Sequence, residues 1–170
     1  MSKWSFNVMT MAPAASADNA LLTGGWMALG GGTATQYIKV QEIQETGQAV
    51  ATSANIMQFA RDSTAGATPT ALAANSGNSM GPLDASTAVL ANPNTAFIAA
   101  TTAPTRSGSV TSAKLNLSFN AFGGILRWQA APDEEWGIIT ATGPAGESSL
   151  SGFTGTGTGP MGAHIIFEVK

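Results

Sequence analysis

The amino-acid sequence predicts an all-β protein: a jelly-roll-like β-sandwich with long irregular loops and little or no helix. Short runs in which apolar and polar residues alternate recur from Trp4 to Val169. Period-2 alternation is the pattern of a strand with one buried and one wet face. Clusters of Gly, Pro, Asn and Ser separate these runs, and 20 glycines supply turns. No stretch of helical spacing is bracketed by helix-capping residues. Several short strands punctuated by turns build a sandwich or barrel, and the number of strand candidates suits a jelly roll.

Trp4, Phe6 and Val8 alternate with Ser5 and Asn7 to give a first strand. The Ala- and Ser-rich run from Met9 to Asn19, with Pro13, reads as a linker. The chain thus divides into an N-terminal strand and arm over residues 1–19 and a single β-sandwich domain over residues 20–170. Ala20 to Leu29 reads as a strand or bulged segment, and Gly30-Gly31-Gly32 as a turn. From Gln36 to Thr46, Ile38 and Val40 share a parity that Ile43 breaks. A β-bulge or burial on both faces accounts for this. A helix is the alternative, with Tyr37, Val40 and Ile43 three apart; strand is preferred because no cap brackets the run.

Ala54 to Asp62 is a further strand, with Met57 and Phe59 on one face and Ile56 on the other. Ser63 to Asn94 is mostly Ala, Ser, Thr, Asn, Gly and Pro, with Met80, Leu83, Val89 and Leu90 as apolar anchors. It reads as a long loop that either lies over the sandwich or makes contacts with other subunits. Thr95 to Thr101 is a short apolar strand and Pro104 to Ser109 a turn.

The clearest stretch, Ala113 to Pro132, reads AKLNLSFNAFGGILRWQAAP. Its two alternating runs flank Ala121-Phe122-Gly123-Gly124, which predicts a β-hairpin. Leu115, Leu117, Phe119, Leu126 and Trp128 are then expected at the buried centre of the sandwich. Asp133-Glu134-Glu135 ends the hairpin, and Trp136 to Ala141 starts the next strand. Gly143 to Gly146 is a turn, Ser148 to Phe153 a short strand, and Gly155 to Pro160 a Gly-rich loop. Ile165, Phe167 and Val169 line one face of a closing strand from His164 to Lys170.

Length and composition bound the function. A chain of 170 residues fits one domain, which buries roughly 70% of its extended-chain surface. Only 10% of residues are charged, against about 25% in an average domain. Such a surface belongs either to a monomer coated with hydroxyls and amides or to a protein covered by copies of itself or by a partner. Seven Lys and Arg are scattered singly in a chain of net charge −3, which disfavours nucleic-acid binding. The absence of Cys removes disulfides, thiolate metal sites and a Cys nucleophile. The N-terminal residues lack a continuous apolar stretch of signal-peptide type. No window reaches the ~20 apolar residues of a membrane helix, so no membrane partner is expected.

Candidate chemistry is sparse. His164 is the only histidine, and no G-x-S-x-G elbow accompanies it, so a surface or interface role is expected rather than general-base catalysis. One His with no Cys leaves too few soft ligands for a zinc site to be expected. Asp133-Glu134-Glu135 is the acidic cluster, but it lacks the ligand spacing of a Ca²⁺ loop, and adjacent carboxylates do not face one another across a sugar. The Gly155–Gly159 run lacks the Lys, the Ser and the following helix of a phosphate loop. Trp4 and Trp128 are assigned to the core; Trp26 and Trp136 are the plausible exposed aromatics. No catalytic, cofactor-binding or metal-binding residue is assigned, and no enzyme activity is expected.

The segments FARDSTAGATPT (59–70), GPLDASTAVLA (81–91), LNLSFNAFGGILRWQAAPDEE (115–135), GESSLSGFTG (146–155) and GAHIIFEV (162–169) resemble, in order, a family of small proteins encoded among tailed-bacteriophage structural genes. That family resembles capsid decoration, or cement, proteins. The resemblance implies a virion structural protein on the outer surface of the head, made in the host cytoplasm. It implies a β-rich homo-oligomer, commonly a trimer, that stabilises the capsid by binding the major capsid protein, without cofactors. Ser63–Asn94 and Met1–Asn19 are the segments expected to make subunit or capsid contacts. The alternative is a carbohydrate-binding or tail-associated adhesin module, with Trp136 or Trp26 as the stacking residue.

Overall fold

The computed structural model describes residues 2–11, 26–31, 37–64, 70–71, 79–83, 94–99, 105–106, 113–139, 149–154 and 159–169. Among these residues the chain is all-β, with no helix. In chain order the strands are β1 (Ser2–Met11), β2 (Trp26–Gly31), β3 (Tyr37–Gly47), β4 (Ala54–Thr64), β5 (Thr70–Ala71), β6 (Ser79–Pro82) and β7 (Asn94–Ala99). They continue with β8 (Thr105–Arg106), β9 (Ala113–Asn120), β10 (Ile125–Gln129), β11 (Trp136–Ile139), β12 (Ser149–Thr154) and β13 (Met161–Val169).

The strands form two antiparallel sheets. One runs β10-β3-β13-β1-β6, with β11 also paired to β3; the other runs β5-β7-β2-β12-β4-β8, with β9 also paired to β4. In the first sheet β3 pairs β13 along one side, and β10 and β11 end to end along the other.

A bulge explains the broken parity in β3. Glu42 pairs with Ile166 and Val40 with Phe167, so Gln41 has no opposite number on β13. One extra residue turns the strand by half a period. Ile38 and Val40 face inward before the bulge, and Ile43 faces inward after it; all three are buried.

The core is one cluster drawn from both sheets. β1, β3 and β13 contribute Trp4, Phe6, Val8, Ile38, Val40, Ile43, Met161, Ala163, Ile165, Phe167 and Val169; β4 and β9 contribute Met57, Phe59 and Leu117. Ile56 is exposed on the opposite face of β4 from Met57, as the alternation predicts.

Ala113 to Pro132 does contain two strands, but they are not a hairpin. β9 pairs with β4 in one sheet and β10 with β3 in the other. Residues 121–124 are therefore a corner between layers. Alternation fixes which face of a strand is apolar, not which strand lies beside it, so a hairpin and a corner have the same pattern. Both strands lie at sheet edges. Consequently Leu115, Phe119, Leu126 and Trp128 are only half-buried against the core, while Leu117 is buried. The buried centre is instead Phe6, Ile38, Ile43, Met57, Phe59, Ile165 and Phe167.

Three further expectations are corrected. Gly30 and Gly31 belong to β2: Gly30 pairs with Ser149 and Thr95 on its two sides and Gly31, the last residue, with Asn94, and these ladders hold glycines that would otherwise turn. Thr105–Arg106 is a short strand on β4 rather than part of a turn. Ser63–Asn94 is not loop throughout: it holds β5 and β6, and β6 pairs along β1, with Pro82 at the end of an edge strand where a missing N–H is tolerated. Residues 2–11 of the N-terminal segment form an internal strand flanked by β13 and β6. The turn expected at 143–146 lies outside the described residues.

At one end of the two layers the connections stack on each other. Gly47 N–H donates to Gly124 O (2.8 Å), Ala49 N–H to Ala121 O (2.9 Å), Ala121 N–H to Ser53 O (2.8 Å) and Gln48 N–H to Pro160 O (3.0 Å). The close approach requires glycine at two points: a Cβ on Gly47 would overlap the Ala121 backbone, and one on Gly159 would overlap Ala49.

Phe167→Ala should lower stability by about 3–5 kcal/mol in urea unfolding, and Trp128→Ala by clearly less; a larger loss at Trp128 would contradict the edge position of β10. Gly47→Ala should also unfold at lower urea than the parent.

Candidate functional site

The stacked end of the molecule presents an apolar tip. Val50 is 96% exposed, Ile125 77% and Phe122 56%. Exposure of this size is informative for large apolar side chains only when they sit together. Val50 belongs to the β3–β4 connection, Phe122 to the adjacent β9–β10 corner and Ile125 to the start of β10. Residues 48–53 and 120–125 contain no Asp, Glu, Lys or Arg.

The tip is held firmly from below. Asn120 Oδ1 accepts from Ser53 N–H (3.2 Å) and from Phe122 N–H (3.0 Å). Buried Asn55 donates its Nδ2 to Gly159 O (2.8 Å), and its Oδ1 accepts from Ser53 Oγ (3.1 Å). Gly123 takes φ +65°, the left-handed turn conformation that glycine adopts freely.

A second feature is the polar outer face of the β3 sheet. Arg127, Gln44, His164 and Asn7 lie in one cross-strand row, and Gln129, Glu42, Ile166 and Ser5 in the next. Arg127 reaches diagonally to Glu42 with two bonds, Nε to Oε1 (2.8 Å) and Nη2 to Oε2 (2.6 Å). Gln44 Nε2 also donates to Glu42 Oε1. The bonds from Arg127 hold the Glu42 carboxyl below the usual range, against an opposing push from burial. Burial lowers His164, and the charge of Glu42 pulls it partly back. Farther along, Gln41 Nε2 donates to Glu168 Oε2 (3.3 Å), and Lys39 Nζ lies 3.7 Å from Glu135 Oε2.

His164 thus sits half-buried on a sheet face, opposite Gln44 and Asn7. Asp133 and Glu134 are exposed in a turn and Glu135 is half-buried. Among the described residues no group of three or more His, Cys, Asp or Glu is placed to hold a metal. Trp4 is buried and Trp128 half-buried. The side chains of Trp26 and Trp136, and residues 155–158, lie outside the described residues. The apolar tip and the Glu42–Arg127 pair carry no sequence signature: both depend on contacts between segments far apart in the chain.

Arg127→Met should raise the Glu42 pKa measured by carboxyl NMR titration. Glu42 is depressed in the fold, so its stabilising contribution is present above about 4.5 and is lost as pH falls through its lower folded value. The variant should therefore show a shallower loss of stability on acidification below that pH; an unchanged titration would remove Arg127 as the cause. Compared with known proteins, the chain matches no protein-family model, no curated protein and no solved structure.

Proposed function

We propose that this chain is a virion structural protein that decorates and stabilises a tailed-bacteriophage capsid by binding major capsid subunits on the head exterior. The observation that carries the reading is the tip of Val50, Phe122 and Ile125: exposed, uncharged, apolar side chains on a hydrogen-bonded platform. A contact of this kind buries apolar side chains at its centre and pays little entropy to order itself. The phage-structural resemblance of residues 59–169 points to the same class of partner.

We read the fold, at finer grain, as a jelly-roll-like sandwich. Taking β1, β2, β3, β4, β9, β10, β12 and β13 as eight successive strands, one sheet has the order first, eighth, third, sixth, and the other second, seventh, fourth, fifth. That order is what results when a long antiparallel ribbon folds over into two layers. β5, β6, β7, β8 and β11 are then additions to the ribbon.

In this reading the protein is a homotrimer without cofactor or enzymatic role, made in the host cytoplasm and resident on the virion. A closed symmetric oligomer offers several identical tips at once, and multivalency raises avidity beyond that of one contact. Ser2–Met11 is paired along both edges within a sheet, so in this reading it offers its outer face, with Lys3 and Met9 exposed, rather than a free arm.

The test is binding of the purified protein to capsids that lack it, followed by imaging of the particles. The parent should appear on the head shell at junctions between capsid subunits. Val50→Asp combined with Phe122→Asp should weaken binding at least about tenfold, which corresponds to 1.4 kcal/mol, with an unchanged urea midpoint. Location on the tail, or parent-like binding by the double variant, would reject the proposal.

A further inference from the structure

We infer that Glu45 is a proton-operated latch: protonated, it lets the edge strand β10 close over the core, and when it gives up its proton to solvent β10 opens to let the carboxylate reach water. Glu45 is fully buried, at 0% exposure. It lies on the inner face of β3, directly between Leu126 of β10 and Ala163 of β13, with Val8 of β1 beyond. Leu126, Ala163 and Val8 all belong to or pack on the apolar core. Neither Glu45 oxygen has a hydrogen-bond partner among the described residues.

Among the described residues no neighbouring charge offsets an ionised Glu45. On β3 and β10, Glu42 and Arg127 point to the outer face and bind each other. On β13, His164 and Glu168 are likewise on the outer face, opposite Gln44 and Lys39. From β4 and the residue before it, the described polar groups at this end are neutral Asn55 and Ser53, bonded to each other and, through Asn55, to Gly159. Arg61 of β4 donates to Gly137 O of β11, level with Lys39. That is six residues along β3, roughly 20 Å away at the rise of a strand.

An unpaired carboxylate in such a place carries a large desolvation cost. Burial pushes the Glu45 pKa up from 4.5 to about 8, so the group is protonated in the fold at neutral pH. The exit is set by topology: β13 and β1 enclose one side, whereas β10 is an edge strand of five residues whose inward Leu126 and Trp128 are only half-buried.

The folded pKa is raised, so the stabilisation is complete below about 4.5 and is lost as pH rises towards about 8. Across that window the Glu45 contribution to the folded-to-unfolded ratio falls tenfold per pH unit and is flat above it. Three measurements test this. Carboxyl NMR of the parent should show one glutamate titrating near pH 8; if every glutamate titrates below pH 6, the latch is excluded without any variant. Urea unfolding of the parent and Glu45→Gln at several pH values should give a ratio of their folding constants that changes tenfold per unit between pH 5 and 8. Parallel profiles would overturn the inference. Amide exchange between pH 6 and 9 should show protection falling first in β10 of the parent and not in Glu45→Gln. A loss spread evenly over both sheets would overturn the role of β10.

Discussion

One extra residue in β3 sets the arrangement of the rest. β3 pairs with β13 on one side and with β10 and β11 on the other, so its faces decide what each neighbour can bury. Without the bulge at Gln41, Ile38 and Val40 would face the core and Ile43 would face solvent. The inserted residue keeps all three inside. The bulge is itself anchored: Gln41 O accepts from Ala130 N–H (2.9 Å), at the gap between β10 and β11, and the Gln41 amide reaches Glu168.

The same shift decides which of the two glutamates that follow faces the core; three residues apart on a continuous ladder, they lie on opposite faces. Glu42 emerges on the outer face, where a two-bond contact with Arg127 keeps it ionised. Glu45 lies on the inner face, where neither oxygen has a hydrogen-bond partner among the described residues. Two carboxyls three residues apart thus have opposite acid–base behaviour because of backbone geometry, not composition. Arg127 is largely exposed while Glu42 is not, so the value of that pair lies in satisfying a buried carboxylate more than in a surface attraction.

The strands were legible where alternation was strong and the burial one-sided. Trp4, Phe6 and Val8, Met57 and Phe59, and Ile165, Phe167 and Val169 are all buried where their parity places them. The parity break at Ile43 was readable as a bulge. Pairing was not legible, because alternation carries no information about neighbours; this is why the corner at 121–124 resembles a hairpin. Short strands such as Thr70–Ala71 and Thr105–Arg106 owe their conformation to the sheets they join rather than to their own residues. Of the candidate surfaces, the low charge of the chain foreshadowed an uncharged apolar patch, but the stacking of the β3–β4 connection on the 121–124 corner depends on hydrogen bonds between segments some 70 residues apart in sequence.

The pairing of β1 with β13 matters before the protein is ever folded. Ser2 lies opposite Val169, and these two strands sit side by side within a sheet rather than at its rim. During synthesis β1 leaves the ribosome long before its partner exists. Its apolar residues Trp4, Phe6 and Val8 must therefore wait through the translation of everything between. Pairings so distant along the chain make folding slow and leave strand edges open to association in the meantime. The nascent protein is consequently most vulnerable to misassembly just before β13 emerges, and its yield depends on how the cell shields that interval.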